Sequence, residues 1–126
     1  MNFSADIKKA AKAMGKDADE VLAANVLKMA GKIIKATPAL TGTARNNWFF
    51  SIDTEASGER VGKKPAPDAH ANAVDTATKF SFGHVFYIIN RVPYVRHLEN
   101  GTPKMKPFGM IKSALDDLQE SLKKYR

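Results

Sequence analysis

Histidine side chains can bind metals or move protons, and the chain carries three of them: His70, His84 and His97. A zinc site usually draws two histidines from one helical turn, three to five residues apart. The separations here are 14 and 13 residues, and the chain has no cysteine that could supply a thiolate. The spacing therefore predicts no metal site.

Nucleophilic and acid–base catalysis would need other patterns, which the sequence lacks. There is no Gly-x-Ser-x-Gly elbow to expose a nucleophilic serine. Asp116 and Asp117 are adjacent on a predicted helix, so their side chains point about 100° apart and do not form a carboxylate pair. Gly42 and Gly101 are isolated and belong to no phosphate-binding glycine-rich loop. We therefore predict no catalytic, cofactor-binding or metal-ligating residue, and we expect a protein that is not an enzyme.

Aromatic side chains could stack nucleic-acid bases, as they do on the sheets of RNA-binding domains. Most of them lie in strand-like segments that need a buried face, so core packing is the simpler interpretation. In the segment 47–54, a period of two places Trp48 and Phe50 on one face. Phe49 lies on the opposite face, so it either packs under a helix or meets a neighbouring subunit.

The chain is basic, with 20 Lys and Arg residues against 13 Asp and Glu residues and a formal net charge of +7. Residues 1–16 carry four lysines against one acid, and residues 91–126 carry eight basic groups against four acidic ones. Basic ends can meet nucleic acid or an acidic protein surface, or can simply keep the protein soluble. The candidate contacts for DNA or a partner are seven lysines: Lys8, Lys9, Lys12, Lys63, Lys64, Lys104 and Lys106.

The length of 126 residues, with 44% hydrophobic and 26% charged residues, fits one globular domain. We treat residues 1–126 as a single domain, with residues 1–16 as a basic N-terminal arm or helix and residues 63–81 as a long excursion. No stretch approaches the roughly 20 apolar residues of a membrane-spanning helix, and no signal-peptide pattern is present. Membrane insertion and secretion are not expected, and the lack of cysteine is compatible with a bacterial cytoplasm.

Two helices are predicted before the first strand. Ser4 is a suitable N-cap for the first, whose apolar residues recur at helical spacing until Gly15. The second begins near Asp17 and ends near Ala36, because Pro38 disfavours helix at the residue before it. Its core face is formed by four residues at spacings of four, three and four: Leu22, Val26, Met29 and Ile33.

The middle of the chain predicts two strands. Residues 47–54 alternate as described above, and residues 82–90 contain the most β-prone run, His84 to Ile89. Between them, residues 63–81 are polar and rich in alanine. We interpret that segment as an irregular excursion with at most a turn of helix.

A short helical turn from Tyr94 ends at Asn100-Gly101, a favourable C-cap pair, and a basic loop over 102–107 follows. The last helix carries a continuous apolar stripe of six residues: Phe108, Ile111, Leu115, Leu118, Leu122 and Tyr125. The predicted fold is α+β, with N-terminal helices and a long C-terminal helix packed on a small antiparallel β-sheet.

Two segments together resemble a known family. Residues 37–48 read Thr-Pro-Ala-Leu-Thr-Gly-Thr-Ala-Arg-Asn-Asn-Trp, and residues 94–102 read Tyr-Val-Arg-His-Leu-Glu-Asn-Gly-Thr, followed by Pro107-Phe108 and a helix. In this order they are similar to elements of the small neck and tail-completion proteins of long-tailed bacteriophages. The positions that carry the resemblance are Thr41, Gly42, Arg45, Trp48, Tyr94, Glu99, Gly101, Thr102 and Phe108.

The resemblance implies a nonenzymatic structural protein of the virion, located in the neck or tail and assembled in the bacterial host cytoplasm. It implies a homo-oligomeric ring, expected to be a hexamer, that completes the tail and joins it to the head. Partners would be further copies of the chain, the connector or head-closure protein, and the tail-terminator or tail-tube protein. Non-specific contact with packaged DNA would fit the basic ends.

The motif residues also have a structural interpretation. Thr41-Gly42 can turn the chain towards the first strand, and Gly101-Thr102 can turn it towards the basic loop. Arg45 is expected to bond across the first turn or to reach Glu99 and fasten the two motifs together. Direct contact of these residues with a partner is the alternative.

A homomeric ring needs a heterologous interface, in which one patch meets a different patch on the next copy. We expect residues 63–81 and the loop 102–107 to supply it, because both are predicted to be exposed and irregular. A small basic nucleic-acid-binding module is the alternative function. A toxin-like or hydrolytic enzyme ranks last, because no residue spacing favours it.

Overall fold

The computed structural model describes residues 2–38, 43–60 and 67–125. In chain order the elements are α1 (Phe3–Met14), α2 (Ala18–Ala36), α3 (Thr43–Asn46), β1 (Phe49–Ile52), α4 (Pro67–Lys79), β2 (Phe86–Ile89), α5 (Val95–Asn100) and α6 (Met110–Leu122), with a 3₁₀ turn at Lys123–Tyr125. The fold is α+β, which confirms the predicted class. No helix in the described ranges is long and apolar enough to span a membrane.

The two N-terminal helices form as predicted. α1 begins two residues earlier than expected, because the side chain of Asn2 rather than Ser4 caps it, accepting a hydrogen bond from the amide of Ala5 at 3.1 Å. It ends at Gly15, where φ is 67°, a left-handed conformation that glycine adopts without strain. In α2, three of the four predicted core residues are buried and the fourth, Met29, is partly buried: the buried three are Leu22, Val26 and Ile33.

Helix α4 overturns the prediction of a long excursion over residues 63–81, since residues 67–79 form a helix. Three alanines spaced by four, Ala69, Ala73 and Ala77, are fully buried, and the helix packs against α2 and beside β1. Small side chains let helices approach closely but give a weak apolar pattern. This helix was therefore not predicted from the sequence. As a core element, α4 is not the irregular contact segment that we expected.

Helix α6 forms as predicted but presents a different face to the core. Its buried residues are spaced by four: Met110, Ala114, Leu118 and Leu122. Phe108 and Leu115 of the predicted stripe are 47% and 43% exposed. The C-terminal half of α6 packs with α1 and α2, whereas the N-terminal half packs beside the sheet. One apolar flank of the N-terminal half is therefore left at the surface.

The sheet consists of β1 and β2 paired antiparallel, with Phe49 opposite Ile89 and Ile52 opposite Phe86. Both strands are shorter than the predicted segments 47–54 and 82–90. Trp48 and Phe50 are each 2% exposed, which confirms the predicted core face. Phe49, on the other face, lies under the guanidinium of Arg60, 4.1 Å from the ring centre, rather than under a helix.

Candidate functional site

The first motif folds into a buried hydrogen-bonded cluster around Thr37. The Thr37 hydroxyl donates to the carbonyl of Ile33 at 2.7 Å and accepts from Nε1 of Trp48 at 2.8 Å. Neither side chain is open to water, since Thr37 is 0% and Trp48 is 2% exposed. This cluster fixes the end of α2 to the start of β1.

Arg45 completes this cluster from α3. Its Nε donates to the carbonyl of Thr37 at 2.9 Å and its Nη2 to the carbonyl of Lys35 at 3.2 Å. These bonds satisfy carbonyls at the C-terminal end of α2, which the helix itself leaves without partners. Arg45 thus bonds across the turn, as predicted, while the expectation that it reaches Glu99 is wrong. Thr41 and Gly42 lie outside the described residues.

Glu99 of the second motif instead caps α6. Its carboxylate oxygens accept from the backbone amides of Ile111 at 2.9 Å and Lys112 at 3.2 Å. A negative charge at this position complements both the free amides and the positive end of the helix dipole. The contact fixes the angle between α5 and α6.

Gly101 turns the chain after α5 in a conformation that only glycine suits, with φ 78° and ψ 177°. A Cβ at this position would lie 2.8 Å from the carbonyl oxygen of Met105 and from the nitrogen of Pro107. Thr102 forms a backbone bridge with Met105, and the amide of Lys104 donates to its hydroxyl at 3.2 Å. The loop 102–107 is therefore a tight turn held against α5.

The two motifs meet at one open groove with a volume of about 320 Å³. Trp48 of the first motif and Glu99 of the second both line it. The remaining lining residues come from β2, its end, α5 and α6: Ile88, Ile89, Asn90, Val95 and Ile111. Asn90 ties this region to α3, because its Nδ2 donates to the carbonyl of Ala44 at 2.8 Å.

Exposed apolar side chains accompany the groove. Leu115 lies one helical turn beyond Ile111 on the same side of α6 and is 43% exposed. Phe108, just before α6, and Tyr94, just before α5, are both largely exposed as well. Clusters of exposed apolar residues beside a groove mark surfaces that bind other proteins. Among the motif residues that the structure describes, Tyr94 and Phe108 thus have the most surface to offer a partner.

The outer edge of β1 is closed by α4. The amide of Phe50 donates to Oδ1 of Asn72 at 2.7 Å, and its carbonyl accepts from Nδ2 of Asn72 at 3.0 Å and from the hydroxyl of Thr76 at 3.1 Å. An asparagine amide can imitate a neighbouring strand in this way because it offers one donor and one acceptor side by side. These bonds occupy both backbone groups that Phe50 presents at this edge.

The basic residues separate into two groups. Lys104 and Lys106 lie in the loop before α6, whereas α1 packs on the opposite end of α6 and on the 3₁₀ turn. The 13 residues of α6 place these groups about 20 Å apart, so they do not form one surface. Lys63 and Lys64 lie outside the described residues.

Three lysines of α1 and one just beyond its C-cap form a group that we call the lysine face: Lys8, Lys9, Lys12 and Lys16. All four side chains are exposed, and none forms an ion pair within the described ranges. Lys8 lies 5.0 Å from the ring centre of Phe82. The acidic residues Asp17 and Glu20 follow beyond the end of α1.

Sequence reasoning missed a pair formed by Asp53 and His84. Oδ2 of Asp53 lies 2.6 Å from Nδ1 of His84, and Oδ1 accepts from the amide of Val85 at 2.8 Å. This amide and the imidazole hold the pKa of Asp53 below its ordinary value. Asp53 has φ of 65°, unusual for a residue with a side chain, and the pair ties the end of β1 to the approach to β2.

The Asp53–His84 pair could orient a general base, but its surroundings favour a structural role. The strand hydroxyl of Ser51 donates to the carbonyl of Thr54 at 2.7 Å rather than to the imidazole. Within residues 2–38, 43–60 and 67–125, no cluster of His, Asp or Glu side chains is arranged to hold a metal ion. The two partners lie 31 positions apart, so the sequence carries no local signal for this pair.

Comparison of the chain with protein families, curated proteins and solved structures found no match. The resemblance to neck and tail-completion proteins therefore rests on the two motifs alone.

Proposed function

We propose that this protein is a structural component of a tailed-phage virion, forming a ring at the head–tail junction or at the head-proximal end of the tail. In this role it completes the tail and joins it to the head. Its partners are further copies of itself and the head-closure, tail-terminator or tail-tube proteins. The proposal combines the motif resemblance with the character of the open surface.

The observation that carries the proposal is the groove with its exposed apolar border. Arg45, Glu99 and Gly101 serve the fold through contacts within the chain. The Glu99 contact holds α5 against α6, the two helices that line the groove, and Leu115 and Phe108 remain exposed in this region. The motif residues therefore hold the fold together beside an apolar groove and are not grouped for a reaction. Such an arrangement suits assembly with other proteins better than catalysis.

Ring closure still needs two different surfaces on each copy. The exposed apolar border, Leu115 and Phe108, replaces residues 67–79 as the first, because α4 belongs to the core. The loop 102–107 stays a candidate contact, since it lies next to Phe108 and exposes Lys104 and Lys106.

Ring formation by the purified protein tests this proposal. Negative-stain microscopy and light scattering should show rings for the wild type, and the variant Leu115→Glu should lose them because it places a charge in the apolar border. Leu115 is already 43% exposed, so this variant should fold. The matched control is Val74→Glu, at an apolar residue on α4 that is 37% exposed and does not line the groove. Rings that persist in Leu115→Glu would reject the apolar border as a contact between copies.

A small basic nucleic-acid-binding module is the second candidate function, and the lysine face favours it. Three exposed lysines on α1 and a fourth just beyond it can contact phosphates without reading sequence. Such a module should bind duplex DNA as a monomer and without a partner protein. Fluorescence anisotropy of a labelled duplex at low salt, on protein shown to be monomeric, separates the two functions.

A further inference from the structure

β2 has one paired edge and one open edge. The hydrogen bond from Asp53 to Val85, one pair beyond the strands, fixes which residues of β2 bond to β1, because bonded and non-bonded pairs alternate. The backbone amides and carbonyls of Phe86 and Ile88 therefore point away from β1. None of these four groups has a hydrogen-bond partner within the described residues.

An open strand edge is normally covered, because its unpaired backbone groups otherwise invite unwanted pairing. The other edge of this sheet shows such cover, since Asn72 and Thr76 occupy it. The edge of β2 has no equivalent in the described part of the chain. The difference between the two edges points to a partner that supplies the missing strand.

The C-terminal half of β2 lines the groove. Ile88 and Ile89 of β2 are lining residues together with Val95 of α5 and Ile111 of α6. A groove between a strand edge and helices is the shape that binds peptides by strand addition. Main-chain hydrogen bonds to the edge then give affinity, and apolar contacts with alternate side chains give specificity.

The irregular segment 55–60 of the chain itself does not suit this groove. Residues 55–60 have no regular secondary structure, but their side chains are small or polar, and Gly58 bends the backbone with φ of 87°. Arg60 is also held in place, donating to the carbonyls of Asn46 at 2.8 Å and Trp48 at 2.7 Å. Neither β1 nor the described segment 55–60 of a second copy would therefore supply the missing strand. A second copy also carries the open edge of β2, and pairing between two such edges is the outcome that the concentration dependence below detects.

Two arginines next to the groove indicate which charge a partner should carry. Arg91 and Arg96 directly follow the lining residues Asn90 and Val95, and both are exposed. Arg91 donates to the carbonyl of Ala56, and neither guanidinium has an acidic partner within the described ranges. Acidic residues on the incoming segment would complement these cations.

We propose that the groove binds an extended segment of another protein, apolar at alternate positions and acidic at its ends, which pairs with Phe86 and Ile88 as a third strand. That the other protein belongs to the same virion rests on the proposed function. The strand edge and the groove do not depend on it.

Residue-resolved amide hydrogen exchange tests the proposal with a defined probe. The probe is an eight-residue peptide that alternates valine with threonine and carries glutamate at both ends. In the protein alone, the amides of Phe86 and Ile88 should exchange faster than those of Tyr87 and Ile89, which bond to β1. At saturating peptide, exchange at Phe86 and Ile88 should slow at least tenfold.

Two controls separate strand addition from general stickiness. A peptide N-methylated at the amides that would face β2 should bind at least tenfold more weakly, because it lacks those donors. Leu115→Glu should weaken binding through lost apolar contact and added repulsion, whereas Val74→Glu should not. Equal binding of the methylated peptide would overturn the proposal.

Other results would assign the edge to a different occupant. Slow exchange at Phe86 and Ile88 in dilute protein without peptide would show that the chain covers its own edge, and would overturn the proposal. Protection that rises with protein concentration alone would identify a second copy and would also overturn it. The protein could bind the peptide although phage particles form normally without it. That combination would support the peptide-binding groove and reject only the proposed function.

Discussion

Replacing Thr37 with valine tests whether the first motif holds the fold together. Valine keeps the shape of threonine but removes the hydroxyl that accepts from Nε1 of Trp48 and donates to the carbonyl of Ile33. The indole N–H then has no acceptor in a site closed to water, since Trp48 is 2% exposed. An unsatisfied buried donor costs about 1–3 kcal/mol. With an m-value of about 2 kcal/mol/M, the urea midpoint should fall by about 0.5–1.5 M.

A double-mutant cycle isolates the hydrogen bond, with unfolding followed by far-UV circular dichroism. Trp48→Phe removes the indole N–H, so Thr37→Val should cost about 1 kcal/mol less in that background than in the wild type. Thr54→Val, at an exposed threonine, should stay within about 0.5 kcal/mol of the wild type. Equal costs of Thr37→Val in the two backgrounds would refute the reasoning.

Three further predictions concern the glycine turn, the lysine face and the Asp53–His84 pair. Gly101→Ala should destabilise the fold by about 3 kcal/mol or more, because of backbone strain and the 2.8 Å approach of the new Cβ to the Met105 carbonyl oxygen. The control is Gly31→Ala, in a helix with open space around it, and this variant should raise the urea midpoint. Changing the lysine face to glutamine should flatten the slope of log affinity for duplex DNA against log salt by up to about 3.6, at about 0.9 per phosphate contact, and an unchanged slope would exclude this face. Because the pKa of Asp53 is lower in the folded state than in the unfolded chain, its carboxylate stabilises the fold above about pH 4, and this contribution is lost as the pH falls through the folded value. The urea midpoints of the wild type and Asp53→Asn should therefore converge in acid, and a gap that stays constant from about pH 7 to pH 2 would contradict the assigned interaction.

Periodicity and turn chemistry were enough to predict most elements. The apolar face of α2 comes from long side chains at helical spacing, and its end follows from Pro38, so both match the structure. The strand alternation around Trp48 and the cap at Gly101 are equally local signals. These features are confirmed because each is decided within a few residues of chain.

The errors fall where packing outweighs local pattern. The core face of α4 is made of alanine, so its burial against α2 leaves little trace in an apolar pattern. In α6 the larger residues Phe108 and Leu115 suggested the core face, but Ala114 takes that place because small side chains fit against α2. The type of an apolar residue alone does not determine whether packing within the chain buries its side chain.

The groove depends on contacts between distant residues. Asn72 reaches Phe50 across 22 positions, and Glu99 reaches Ile111 across 12. No local pattern indicates that one sheet edge is closed and the other open, because that difference follows from where α4 and α6 pack. The motif residues were found by resemblance, but their roles became visible only in the folded chain.

Electron microscopy of phage particles made without this protein shows whether the protein is needed to join heads to tails. We expect separate filled heads and tails, and we expect that wild-type protein supplied from a plasmid restores joined particles. The same plasmid carrying Leu115→Glu should fail to restore them, whereas Val74→Glu should succeed. Normal, infectious particles formed in the absence of the protein would contradict a role in tail completion and head–tail joining.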